Sequence, residues 1–262
     1  MNRTKKALEY FNYKLFSNTA HSIHSPFVFD FFTNVLNDTN LYYSYKELNK
    51  LRKKLNTDST EILFQDYGAG SKVFQKEKRK VSDILKYGTS TEKFSQLYFR
   101  IINRYNLQNG VELGTSIGIN SAYLASANSK FKLFTIEACE DLLKFSGKLF
   151  NELKLENIKL VSGNFDDRLS EVISSLPYLD FFLIDGNHTY DSTLRYFELG
   201  LQKVIESSVF IFDDIRWSEG MHEAWKKIIE HPSVKISIDL FSVGIVFFTS
   251  TVRQKQHFVL RF

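Results

Sequence analysis

Cysteine is almost missing from this sequence. Its 262 residues hold one, Cys139, so no disulfide framework can form within the chain. A reducing, cytoplasmic setting is therefore expected, and Cys139 reads as a packed residue. Proline (3) and glycine (12) are few, and neither a low-complexity tract nor a repeat of roughly 20–50 residues is present. No apolar run reaches the roughly 18 residues of a membrane span, so no membrane partner is expected. The opening MNRTKKALEY lacks the apolar core of a signal peptide. What is abundant is apolar and aromatic content: 43% hydrophobic residues, with 25 Phe. A disordered chain has no such content. The length suits one large domain or one domain with an appendage.

Charge of one sign is scarce only locally. The net charge is +4, but residues 1–109 carry +8 and residues 110–262 carry −4. The split suggests two jobs and an anionic partner for the first part. Sequence style also breaks near residue 109. Before it, Leu8, Tyr10, Phe11, Leu15 and Phe16 have helical spacing. Phe27, Phe31, Val35 and Leu36 do likewise after a start at Ser25-Pro26. Further helices are predicted over 46–55, 80–87 and 91–105. Residues 1–108 thus read as a mainly helical cap around one glycine loop, 66–71.

From 109 onward strands and helices alternate. Strands are predicted at 110–114, 131–137, 158–161, 179–185, 209–213, 234–238 and 243–249, with helices between the first five and after the fifth. Continuous apolar strands are buried on both faces, and alternation with helices implies a parallel sheet. The last two strands leave no room for a crossover helix and form an antiparallel hairpin. The expected fold is a doubly wound, seven-stranded, mostly parallel α/β sheet over 109–262. In such sheets ligands bind beyond the carboxyl ends of the strands.

The residues at those ends are the candidates. The first strand runs into Glu112-Leu113-Gly114-Thr115-Ser116-Ile117-Gly118, where Gly114 permits a tight turn and Gly118 a close helix approach. The second ends at Glu137, 23 residues after Gly114, where a carboxylate can accept ribose hydroxyls. After the third, Asn164 can bond an adenine edge and Phe165 pack on its face, or Asn164 can simply cap a helix. The fourth ends in Asp185-Gly186-Asn187-His188 and the fifth in Asp213-Asp214-Ile215-Arg216-Trp217. Three carboxylates there suit a hard cation such as Mg²⁺, or else cap helices. His188 has the pKa range of a general base.

Together these residues resemble the class I S-adenosylmethionine-dependent methyltransferases, over about 109–250. The run Glu112–Gly118, including Thr115 and Ser116, is similar to the motif that cradles the methionine part of the cofactor. Glu137 matches the ribose acid, and Asn164-Phe165 the adenine position. Ile184-Asp-Gly-Asn-His-Thr-Tyr190 resembles small-molecule O-methyltransferases of IDGxHxY type, which places Asp185 near the cofactor as well. The resemblance implies a Rossmann-like domain, a small-molecule methyl acceptor, and Asp185, Asp213 and Asp214 as ligands of a divalent cation. It departs from the metal-dependent catechol type at Asp214, where Asn is usual, and at His188, where lysine is the base. The run His21–Phe29 resembles a group of bacterial methyltransferases and identifies no substrate.

A basic run, Lys72, Lys76, Lys78, Arg79 and Lys80, follows the second glycine turn. It reads as a loop facing an anionic acceptor, with Lys72, Arg79, Lys80 and Trp217 as candidate substrate contacts, or as an ordinary surface turn. A nucleic acid would need a broader basic face, so none is expected. The remaining histidines, His21, His24, His222, His231 and His257, show no metal spacing. The aromatic cap could supply a homodimer surface. Two rival readings stand beside the methyltransferase. A nicotinamide-dependent oxidoreductase is disfavoured by Ser116 at its second glycine, and a non-catalytic nucleotide-binding module is the other.

Overall fold

The computed structural model describes residues 3–19, 22–65 and 76–262. The chain opens with helices α1 (Arg3–Phe16) and α2 (Pro26–Phe31), the latter widening into a π-type turn at Phe32–Leu36. Helix α3 (Tyr43–Asn56) precedes strands β1 (Glu61–Gln65) and β2 (Lys76–Lys80), then α4 (Val81–Tyr87) and α5 (Glu92–Tyr105). Alternation follows: β3 (Asn109–Leu113), α6 (Ile119–Ala125), β4 (Lys132–Glu137), α7 (Glu140–Glu152), β5 (Ile158–Ser162), α8 (Phe165–Ser175), β6 (Leu179–Ile184), α9 (Tyr190–Leu201), β7 (Val204–Phe212) and α10 (Glu219–Glu230). Three short strands end the series: β8 (Ile236–Asp239), β9 (Gly244–Phe247) and β10 (Gln256–Val259). Among the described residues the main sheet has eight strands, the expected architecture plus one edge strand, β10.

The chain folds as two compact units: residues 39–176, and residues 1–38 together with 177–262.

In the 39–176 unit, β4 pairs in parallel with both β3 and β5. Every residue of β3 is buried, as a strand covered on both faces requires. Helix α5 buries Leu97, Tyr98, Ile101 and Ile102 and ends at Asn106, whose φ of 50° makes a left-handed cap. The expected helical cap is interrupted by an antiparallel hairpin, β1 with β2. A strand reading Lys-Glu-Lys-Arg-Lys carries no hydrophobic alternation, so charge hid it. Its partner supplies the reason it forms: Lys78 Nζ lies 3.2 Å from the Glu61 carboxylate across the hairpin. The hairpin is tied down at β1, where the Leu63 N–H donates to Asp141 Oδ2 (3.3 Å) and Cys139 Sγ donates to the Leu63 carbonyl (3.4 Å).

In the other unit, β6 and β7 pair in parallel, while β9 runs antiparallel to both β7 and β8. The expected hairpin is thus present. Strand β10 adds in parallel to β8. Helix α9 stops at Leu201 and β7 begins at Val204, earlier than the pattern suggests, because only its last five residues are uniformly buried. Helix α1 returns to this unit through its inner face. The rings of Tyr10 and Tyr13 lie 4.9 and 5.3 Å from that of Phe241. Tyr13 Oη donates to the Leu260 carbonyl (2.7 Å) and accepts from the Phe262 N–H (3.0 Å).

Beneath that contact lies a buried ion pair. Arg216 reaches both oxygens of Asp239 at 2.8 Å and donates to the Phe241 carbonyl at 2.7 Å. Asp239 also accepts from the Trp225 indole (3.3 Å) and the Phe241 N–H (2.8 Å). Removing one partner of such a pair strands the other charge in a low dielectric. Asp239→Ala is expected to destabilise the protein by about 3–5 kcal/mol, read as a lower urea midpoint at unchanged slope.

Candidate active site

The glycine turn after β3 is built by alternating left-handed residues. Gly114, Ser116 and Gly118 have φ of 98°, 52° and 82°. Gly118 is required by space as well: a Cβ there would stand 2.8 Å from the Phe150 ring and 2.9 Å from Ser146 Cβ, both on α7. The close approach expected of Gly118 is therefore to helix α7.

Glu137 ends β4 beside that turn. Its Oε2 accepts the Ser116 N–H (3.0 Å), and its Oε1 accepts the Ala138 and Cys139 N–H groups (2.9 and 3.0 Å). A carboxylate offers about four lone-pair positions, so three protein donors leave one on Oε2. Burial raises the Glu137 pKa, and the three N–H bonds oppose that rise.

Glu112 lies deeper. It is fully buried, and its oxygens accept from Asn120 Nδ2 (3.0 Å), Ser121 Oγ and Thr135 Oγ1 (2.7 Å). Thr115, also buried, has its hydroxyl 2.6 Å from that of Thr135. Both side chains are spent inside the fold, supporting the turn from beneath. Asn164 stands at the N-cap position of α8, exposed, with Nδ2 donating to Asp167 Oδ2 at 3.4 Å; Phe165 is half-buried in the first turn.

Lys72 lies outside the described residues. Arg79 pairs with Glu77 at 3.0 Å, and Lys80 is the N-cap residue of α4.

The strand-end acids of the other unit follow β6 and β7. Asp185 Oδ1 lies 3.9 Å from His188 Nε2, with both side chains mostly buried. Between them Asn187 adopts φ 51° and donates from Nδ2 to Ser192 Oγ (2.9 Å) and Tyr196 Oη (3.0 Å), which pins the loop to α9. Burial lowers the His188 pKa, and the Asp214 charge partly restores it. Asp213 Oδ1 accepts the N–H of Asp214, a residue at φ 53°. Trp217 is largely exposed.

Among the described residues, no group of three or more His, Cys, Asp or Glu side chains is gathered as metal ligands would be. Asp213 turns one oxygen back onto the main chain of its own loop. Arg216, the next charged residue, went unread as a structural residue because its partner Asp239 lies 23 positions on.

A mostly parallel sheet with a glycine turn after its first strand and acids at the following strand ends is the fold that the resemblance to class I S-adenosylmethionine-dependent methyltransferases implies. Comparison with known proteins agrees. Residues 111–215 match the family model described as a methyltransferase domain. The O-methyltransferase from Bacillus cereus in complex with SAH is similar, with TM-score 0.58 and 16% identity over 80% of this chain and 92% of that one. The O-methyltransferase TomG from Streptomyces achromogenes, involved in tomaymycin synthesis and in complex with SAM, has TM-score 0.55 and 16% identity over 62% and 82%. In sequence, the chain is 30% identical over 131 residues to the uncharacterized protein R132 of Acanthamoeba polyphaga mimivirus, covering 45% of this chain and 58% of that protein. The chain thus spans little more than half the length of that curated relative. Residues 111–215 thus match a methyltransferase-domain model, and the chain shares its fold with O-methyltransferases solved in complex with SAM or SAH.

The buried carboxyl of Glu112 gives a pH signature. Burial pushes its pKa up to about 7 from 4.5, against the pull of three hydrogen bonds. A raised acid pKa stabilises the fold fully below the unfolded value, and that stability is lost as pH rises through 7. Glu112→Gln removes the ionisation. The variant is expected to match the wild type near pH 4 and to exceed it at pH 8, by on the order of 3 kcal/mol at most. Urea titrations at the two pH values check this.

Proposed function

We propose that this protein transfers a methyl group from S-adenosylmethionine to a hydroxyl oxygen of a small acceptor, and that the acceptor is anionic. The observation that carries the cofactor assignment is Glu137, held by three backbone N–H groups beside the glycine turn with one oxygen position left over. A ribose hydroxyl donating to Oε2 would complete that carboxylate. If a second hydroxyl binds, the Ser116 N–H has to give way, so the turn and the ribose compete for one acceptor. Gly114, Ser116 and Gly118 let a ligand approach the main chain, and Asn164 and Phe165 are exposed enough to meet an adenine.

S-adenosylmethionine supplies a methyl group on a sulfonium sulfur. The acceptor oxygen forms the new O–CH₃ bond as the S–CH₃ bond breaks, and the hydroxyl proton must leave. His188 is the residue assigned to take it, at Nε2, the nitrogen nearer Asp185. Its lowered pKa keeps the imidazole neutral near pH 7, as a base must be. Once charged, the ring gains the Asp185 carboxylate as an ionic partner, which favours the protonated state. Asp185 thus acts through His188. Alignment of the acceptor behind the methyl group supplies most of the remaining acceleration. Lys72, Arg79 and Lys80 are assigned to the acceptor on charge, and Trp217 on its exposure. No step is assigned to a cation.

Calorimetry with S-adenosylmethionine tests the cofactor reading. Tight binding is expected, with Glu137→Ala weakening it about tenfold to a hundredfold. No binding by a folded sample would remove the proposal.

With a turned-over acceptor found by S-adenosylhomocysteine release, His188→Ala is expected to lower kcat by about 10²–10⁴-fold. The acid limb of the wild-type pH profile should fall below 6.5. Turnover is expected to persist in EDTA; loss restored by Mg²⁺ would instead mean that the strand-end acids close on an ion when substrate binds.

A further inference from the structure

Helix α1 has two faces, and one of them is uncovered. Its inner face carries Tyr13, buried against Phe241 and the chain end, and Glu9, whose Oε2 lies 3.8 Å from Arg216 Nε. Leu8, Phe11 and Leu15 are 62%, 59% and 59% exposed. Their spacing of three and four residues aligns them as one stripe along the helix. Phe16, at the end of the same helix, is 78% exposed. Four large apolar side chains held in water on one short helix form a surface that calls for a cover.

The helix's charge says what the cover is. Its sequence holds Arg3, Lys5, Lys6 and Lys14 against a single acid, and that acid, Glu9, is turned inward to Arg216. The uncovered helix is therefore basic. A second copy pairing through the same stripe would bring two positive helices together. A bilayer bearing anionic headgroups offers the opposite charge and an apolar layer for the stripe. Fourteen residues are too few to span the roughly 30 Å hydrocarbon core, so the helix would lie in the interface.

We propose that the outer face of α1, through Leu8, Phe11, Leu15 and Phe16, docks this protein reversibly on anionic lipid surfaces. The expectation that no membrane is a partner rested on the lack of a spanning segment, and surface docking needs none.

The test is co-sedimentation of the full-length chain with vesicles of phosphatidylcholine, with and without phosphatidylserine. Binding is expected with phosphatidylserine, little in pure phosphatidylcholine, and release at high salt. A Leu8→Asp, Phe11→Asp, Leu15→Asp variant, all at exposed positions, should bind about tenfold or more weakly with an unchanged thermal melt. Wild type that ignores vesicle charge, or fails to sediment, overturns the proposal without recourse to any variant. Equal sedimentation of wild type and a folded triple variant also overturns it. So does a concentration-dependent dimer that the triple variant abolishes without any lipid binding, which would make a second copy the cover.

Discussion

Two carboxylates set into one polar layer beneath a five-residue turn are the constraint on which the 39–176 unit rests. Glu112 and Glu137 lie at the ends of adjacent parallel strands; burial raises the cost of ionising both, and the Glu137 charge adds to that of Glu112. The fold answers by giving every oxygen donors. Glu112 receives side chains from α6 and β4, and Glu137 receives main-chain N–H groups from the turn and from the start of α7. The turn's left-handed geometry follows from this demand, since Ser116 must aim its N–H sideways at Glu137. A substitution at either carboxylate therefore reaches the backbone of the turn before it reaches any ligand.

The other unit solves a comparable problem with a cation. Arg216 follows the acids at the end of β7 and is fixed by Asp239 from β8 and by Glu9 from α1. Its two-point hold on Asp239 fixes direction as well as distance. The loop bearing Asp213, Asp214 and Trp217 is thereby anchored at its far end, while Asn187 anchors the His188 loop to α9. Both loops are held by polar side chains, and the first also buries Ile215.

The parallel strands were legible because each is short, apolar and bounded by a turn, and their order gave the fold class. Gly118 and Glu137 were legible because their spacing from Gly114 is a consequence of that fold. The direction of a side chain was not. Glu112 and Thr115 lie in the motif, yet alternation along a buried strand and its exit turns both inward. The hairpin of β1 and β2 escaped notice because β2 is charged throughout, and charge pairing across strands leaves no periodic mark. Strand β10 is a four-residue edge whose alternation is too brief to register. The Arg216–Asp239 pair depends on geometry between segments far apart in the chain, which residue order does not contain.

Tyr13 joins the two ends of the described chain, giving its hydroxyl hydrogen to Leu260 and taking one from Phe262. That single phenol imposes an order of events on synthesis. The inner face of α1 is made well before the groups it packs against, Arg216, Phe241 and Leu260. Throughout elongation both faces of the helix are bare, the outer by design and the inner by timing. For that interval the nascent chain carries an apolar stripe with no partner of its own, and whatever surface or chaperone is nearest has first access to it.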